Sequence, residues 1–322
     1  MNTHNLINSR FLALACVAFL VLVLTACGGG GGGSGGTGAS AGPAPTGPAC
    51  ATASVLDDGV CRPVAERIDA RAPTPFVENG RPVELEVVLY KPPGGDRFPT
   101  LVFHHGSTGN GSNPSLFAET FTSNAVVEYF VERGWMVAFP QRRGRGRSDG
   151  LYDEGFQPDR SAYSCKEAPA LAGAERALDD LDAAADWLRA RADVDSTRLL
   201  VGGSSRGGIL AVAHVARRPD LYLGAINFVG GWLSEGCGDH LSVNRRLFKD
   251  GAGLPGPTLW LYGVNDSFYS LGYSRMNFAA YTGAGGLGAF HELEAGPGRN
   301  GHFVVNYPRL WEEAVQAFLE QI

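Results

Sequence analysis

The apolar positions of this chain fall into short runs that alternate with longer segments of helical period. Residues 83–90 alternate apolar and polar side chains as a half-buried strand does, and stop at Pro92-Pro93. Residues 100–103 and 135–139 are brief continuous apolar runs of the buried-strand kind, and Pro140 closes the second. Residues 118–133 read as a helix stopped by Gly134. Within 171–191, Leu178, Leu181, Ala185 and Leu188 recur at helical spacing, with Asp179, Asp180, Asp182 and Asp186 on the wet side. The alternation continues with a strand at 199–201, a helix at 207–217 and a strand at 222–229, and then a Gly-rich irregular stretch. A strand at 258–262, a helix at 274–281, a strand at 289–293 and a final amphipathic helix ending near Ile322 complete the pattern. These intervals are too long for hairpins and no internal repeat is visible. The expectation is an α/β fold: a mostly parallel sheet with helices on both faces, whose ligands bind beyond the carboxyl ends of the strands. About 28 residues separate the strands at 222–229 and 258–262, so any lid is small or absent.

The first residues read as an address. Arg10 precedes an uncharged apolar stretch at 11–24, which at 14 residues is shorter than the roughly 20 a spanning helix needs. Leu24-Thr25-Ala26-Cys27 resembles the lipobox of bacterial lipoproteins, which implies cleavage after residue 26 and a lipid on Cys27. Gly28 follows the Cys, and by the same resemblance the destination is the outer membrane. Residues 27–48 are almost all Gly, Ser, Thr, Ala and Pro, a flexible tether, and 49–322 are long enough for one large α/β domain. The membrane is then a partner only through the anchor. A formal charge of −6 without a long basic block disfavours nucleic acid. The densest basic run, Arg142-Arg143-Gly144-Arg145-Gly146-Arg147, reads as a solvated turn with one structural arginine, an anion patch being the alternative. Beyond Cys16 and Cys27, four cysteines remain, an even number suited to two disulfides in an exported chain. Cys50 and Cys61 are close in sequence, and Cys165 and Cys237 stand on loops expected above the same sheet edge. A zinc site is disfavoured because paired short spacings are missing.

The chemistry concentrates at strand ends. Gly203-Ser204-Ser205-Arg206-Gly207 lies between a strand and a helix, the context in which Gly-x-Ser-x-Gly presents a nucleophile on a sharp turn. The flanking glycines identify Ser205, because centring on Ser204 would put Arg206 where the second glycine belongs. The strand ending at Tyr262 leads to Asp266, and the last strand leads to His302; Ser, Asp, His is the chain order of α/β-hydrolases. Asp239 is the competing acid. His214 and His291 fall inside a helix and a strand and read as packed or surface residues. The backbone N–H of Arg206 supplies one oxyanion donor. His104-His105-Gly106-Ser107 resembles the His-Gly oxyanion loops of lipases and esterases, which implies Ser107 as the second. A metal shared by His104 and His105 is disfavoured, since neighbours on a strand point to opposite sides. Trp232 and Tyr269 are aromatic candidates for the pocket. Gly251, Gly253 and Gly256 spell Gly-x-Gly-x-x-Gly, but they precede a strand, which is the wrong order for a dinucleotide site.

Together these motifs and the segment PQRRGRGRSDG resemble the dienelactone-hydrolase-like and prolyl-oligopeptidase-like branch of the α/β-hydrolases, over residues 83–322. The resemblance implies a cofactor-free serine hydrolase acting on a small-molecule ester. Dienelactone hydrolases carry Cys at the position of Ser205, so their substrate does not transfer. The competing readings are a peptidase or amidase and a catalytically silent binding lipoprotein.

Overall fold

The computed structural model describes residues 54–57, 60–252 and 256–322. The leader, the tether, Cys27, Cys50 and the side chain of Cys61 lie outside the described residues, and with them the expected lipid site and the Cys50–Cys61 bond. Two short strands, β1 (Ser54–Asp57) and β2 (Val60–Pro63), pair with each other. There follow β3 (Glu66–Glu78), β4 (Arg81–Lys91), β5 (Phe98–His104), α1 (Asn124–Val131), β6 (Met136–Pro140) and α2 (Glu167–Arg189). Next come β7 (Val194–Ser204), α3 (Arg206–Arg217), β8 (Ala225–Phe228) and α4 (His240–Asp250). The described chain ends with β9 (Thr258–Gly263), α5 (Leu271–Gly283), β10 (Gly288–Leu293) and α6 (Glu312–Leu319).

The main sheet has eight strands in the order β10-β9-β8-β7-β5-β6-β4-β3. Pairings from β10 through to β6 are parallel, whereas β6–β4 and β4–β3 are antiparallel. Because successive residues of a strand face opposite sides, β5 supplies both halves of the core. Leu101 and Phe103 pack with Val127, Phe130, Trp311 and Phe318 on one face. Val102 packs with Ala184, Leu188, Val201 and Val215 on the other. Each fully buried side chain of this kind contributes about 1.5–3 kcal/mol.

Three segments differ from the periodicity. A hairpin joins β3 to β4 through Asn79 and Gly80, both left-handed at φ 52° and 73°. Their Asn-Gly pair is a turn signal in its own right. β3 is an edge strand, and its Pro73 and Pro75, with Arg67, Asp69 and Arg71, are exposed. The expected helix at 118–133 is helical only from Asn124, because Gln141 binds both the N–H (2.8 Å) and the carbonyl (2.9 Å) of Phe121 and holds that segment extended. The stretch expected to be irregular contains α4, whose buried Asn244 accepts from the N–H groups of Trp232 (2.9 Å) and Leu233 (3.0 Å) and donates to the Leu233 carbonyl (2.8 Å).

Candidate active site

Ser205 stands between β7 and α3 with φ 57° and ψ −121°, a left-handed conformation that a non-glycine residue adopts only when its surroundings enforce it. They do so here through the backbone. The Ser205 N–H donates to Phe228 (2.9 Å), and its carbonyl accepts from Gly208 (3.0 Å) and Gly231 (3.2 Å). The two motif glycines are required by contact: a Cβ on Gly207 would lie 2.0 Å from the His104 carbonyl oxygen, and one on Gly203 would lie 2.4 Å from Gly207. Gly106 also stands against the serine, less tightly, its virtual Cβ 3.1 Å from that of Ser205. This brings the His104–Ser107 loop alongside the serine.

Asp266 and His302 come from the loops after β9 and β10. The two loops meet backbone to backbone, since a Cβ on Gly263 would fall 2.1 Å from the Gly301 oxygen. His302 Nδ1 bonds Asp266 Oδ2 at 2.9 Å, and the other carboxylate oxygen accepts from the N–H groups of Phe268 (2.7 Å) and Tyr269 (3.1 Å). With its side chain fully shielded, Asp266 is held in one orientation. Nδ1 therefore carries the proton toward Asp266 and Nε2 is left as the basic nitrogen. Asn300 ties the loops together by accepting from the N–H groups of Ser267 (3.2 Å) and His302 (3.0 Å).

Ser205, His302, Arg206 and Ser107 line one cavity of about 580 Å³, together with Trp232, Tyr269 and the disulfide residues Cys165 and Cys237. The Cys165–Cys237 bond has its Cα atoms 4.9 Å apart, as the loop placement predicts. Asp239 instead occupies the N-cap position of α4, and its carboxylate accepts from the Glu167 N–H (2.9 Å). His214 is buried between Asp182 and Tyr222, and His291 is exposed on β10. His105 lines the cavity, whereas the buried His104 does not; the former donates from Nδ1 to Gly106 O (2.8 Å) and accepts at Nε2 from the Arg142 N–H (3.2 Å). Burial, then the charges of Arg142 and Arg145, hold His105 neutral, so it braces the loop.

Of the four arginines in the basic run only Arg147 is solvated. Arg142, Arg143 and Arg145 are all buried, a correction to the turn reading. Arg142 and Arg206 share the buried Glu154 at 2.5 and 3.2 Å, while Arg143 pairs with Asp180. Arg206 also lies 3.7 Å from the ring centre of Tyr163 and 4.3 Å from that of Trp232. Sequence reasoning missed Glu154 and the contact of the Tyr269 hydroxyl with Ser205. Burial pushes that phenol up, which keeps it protonated.

A parallel sheet of this order, with a strained serine at the β7–α3 turn and an Asp–His pair on later loops, defines an α/β-hydrolase, and the chain is one by fold. The sequence profile of the X-Pro dipeptidyl-peptidase family (S15) matches residues 79–232. Among solved structures, the Pyrococcus furiosus esterase Pf2001 superimposes with TM-score 0.55 at 16% identity, covering 80% of this chain and 90% of that one. A Klebsiella pneumoniae protein described as a dienelactone hydrolase gives 0.50 at 18%, covering 80% and 96%. The Pyrococcus horikoshii acylaminoacyl peptidase gives 0.53 at 16%, and this chain, 80% covered, spans 41% of its length. At these identities the likenesses show a shared α/β-hydrolase fold, the one the sequence motifs resemble.

Proposed function

We propose that the protein hydrolyses carboxylic esters through an acyl-enzyme on Ser205. His302 Nε2 takes the serine proton and returns it to the leaving alcohol, and Asp266 fixes the tautomer and stabilises the imidazolium. The tetrahedral oxyanion is held by the N–H groups of Arg206, which the first turn of α3 leaves without an intrahelical partner, and of Ser107. In the second half-reaction His302 Nε2 takes a proton from water as its oxygen attacks the acyl carbonyl, and returns that proton to Ser205 Oγ as the ester bond to the serine breaks and the acid leaves. The observation that carries this reading is the 2.9 Å Asp266–His302 pair opening on the cavity that the strained Ser205 also lines. A peptidase is the second reading, favoured by the S15 profile match. A dipeptidyl-peptidase must receive a free α-ammonium, yet the described residues lining the cavity include Arg145 and Arg206 and no Asp or Glu. That balance of charge supports the ester reading.

Ser205→Ala should abolish both fluorophosphonate labelling and ester hydrolysis while the far-UV spectrum stays that of the wild type. Asp266→Asn should lose activity at every pH, since it removes the acceptor that orients His302. Persistent labelling of the Ser205→Ala chain would refute the assignment. The export and anchoring read from residues 1–48 are part of the same proposal: a lipid on Cys27 holds the enzyme at the outer membrane by a tether.

A further inference from the structure

The run at 142–147 holds four arginines, and three have acidic partners. Arg142 pairs with Glu154 (2.5 Å), Arg143 with Asp180, and Arg147 with Glu86 (2.7 Å). Arg145 is 5% exposed, has no carboxylate partner among the described residues, and keeps Nε and Nη1 without any hydrogen-bond acceptor. A guanidinium in that state is costly unless something completes it, because burial removes water and nothing in the fold replaces it. Arg145 lines the same cavity as Ser205 and His302.

The surroundings do not offset its charge. Glu154 already serves both Arg142 and Arg206, and Asp266 is committed to His302. Arg142, Arg145 and Arg206 are thus three buried guanidinium groups with Glu154 as the one carboxylate paired among them, and two of the three, Arg145 and Arg206, line a wall with no Asp or Glu among its described residues. The loop is also built to hold the side chain still. Gly144 and Gly146 turn it through left-handed conformations at φ 71° and 55°, the Gly146 N–H is fixed to Phe117 O (2.8 Å), and the Arg145 guanidinium lies 5.4 Å from the Tyr152 ring centre. A buried guanidinium with two donors lacking a protein acceptor, at the wall of a cavity, is a receptor for a planar anion, with which a guanidinium can make a bidentate contact.

We propose that Arg145 is a specificity residue that binds a carboxylate carried by the ester substrate; this rests on the ester-hydrolase reading. The carboxylate can sit on the acyl or on the alcohol side, and three esters separate the cases: monobenzyl glutarate, 4-carboxybenzyl pentanoate and the neutral benzyl pentanoate. One of the two charged esters should exceed the neutral one in kcat/KM by about tenfold or more, chiefly through KM, as expected for a charge-assisted hydrogen bond formed out of water. In Arg145→Met that ratio should fall to about one, and Arg145→Lys, which keeps the charge without the fork, should restore part of it. A wild-type ratio at or below one overturns the proposal without recourse to any variant, as does an Arg145→Met enzyme that keeps the preference. Where the Met variant does not fold, Arg145→Gln carries the same comparison. Hydrolysis of benzyl pentanoate without a carboxylate preference refutes the Arg145 assignment alone. Failure on all three esters, with Ser205 unlabelled, takes down the ester reading and this assignment together.

Discussion

Glu154 is the residue on which the buried charge of the site turns. Burial by itself would push its carboxyl up, but the charges of Arg142 and Arg206 and the Arg142 hydrogen bond win, and the group lies below its ordinary value of 4.5. A carboxylate whose folded value is depressed contributes stability that is fully present above the unfolded value and is lost as pH falls through the folded one. Wild-type stability should therefore decline below about pH 4.5, the unfolded reference. Glu154→Gln should remove that part of the decline and lower stability at pH 7 by about 3–5 kcal/mol, because it strands two buried guanidinium groups. Urea unfolding midpoints across pH for both chains check this. A variant as stable as wild type at pH 7 would mean the arginines find another partner.

Among the elements, the Cys165–Cys237 bond joins the segment before α2 to the loop before α4, and both cysteines line the cavity. With a sequence separation of 72, chain entropy assigns it up to about 4 kcal/mol. The double variant Cys165→Ser, Cys237→Ser should unfold at lower urea, and reductant should shift the wild type by more than it shifts the variant. The elements most legible in the sequence are those whose burial is written locally. Residues 100–103, 199–201 and 258–262 are apolar on both sides and became central strands, and the residues just after them carry the site. β3 was not legible because two prolines and a row of charges hide its alternation. The buried arginines were not legible either, since what makes burial possible for Arg143 is Asp180, 37 positions away, and for Arg142 it is Glu154, 12 away. No short window contains both partners of such a pair. The candidates Ser205, Asp266 and His302 stood out because residue type, strand end and chain order each pointed to them independently, and the structure pairs Asp266 with His302 and places His302 on the cavity that Ser205 lines.

At the scale of the whole molecule, the described helices include none long and apolar enough to cross a membrane. The proposed attachment runs through Cys27. Cys27→Ala should move the protein from the membrane fraction to the soluble fraction with its kcat/KM on esters unchanged, measured after fractionation; retention on membranes would require another anchor. The sheet itself ends, on the β3 side, in a strand that pairs with β4 and has no strand on its outer side among the described residues. An unpaired strand edge can template the addition of another chain, and a lipid anchor that concentrates copies on a surface would multiply such encounters. Here the edge is made a poor template: Pro73 and Pro75 have no N–H to offer, and exposed Arg67, Asp69 and Arg71 would need to be desolvated by any arriving strand. The residues that conceal β3 from a reading of the sequence also conceal it from a second copy of the protein.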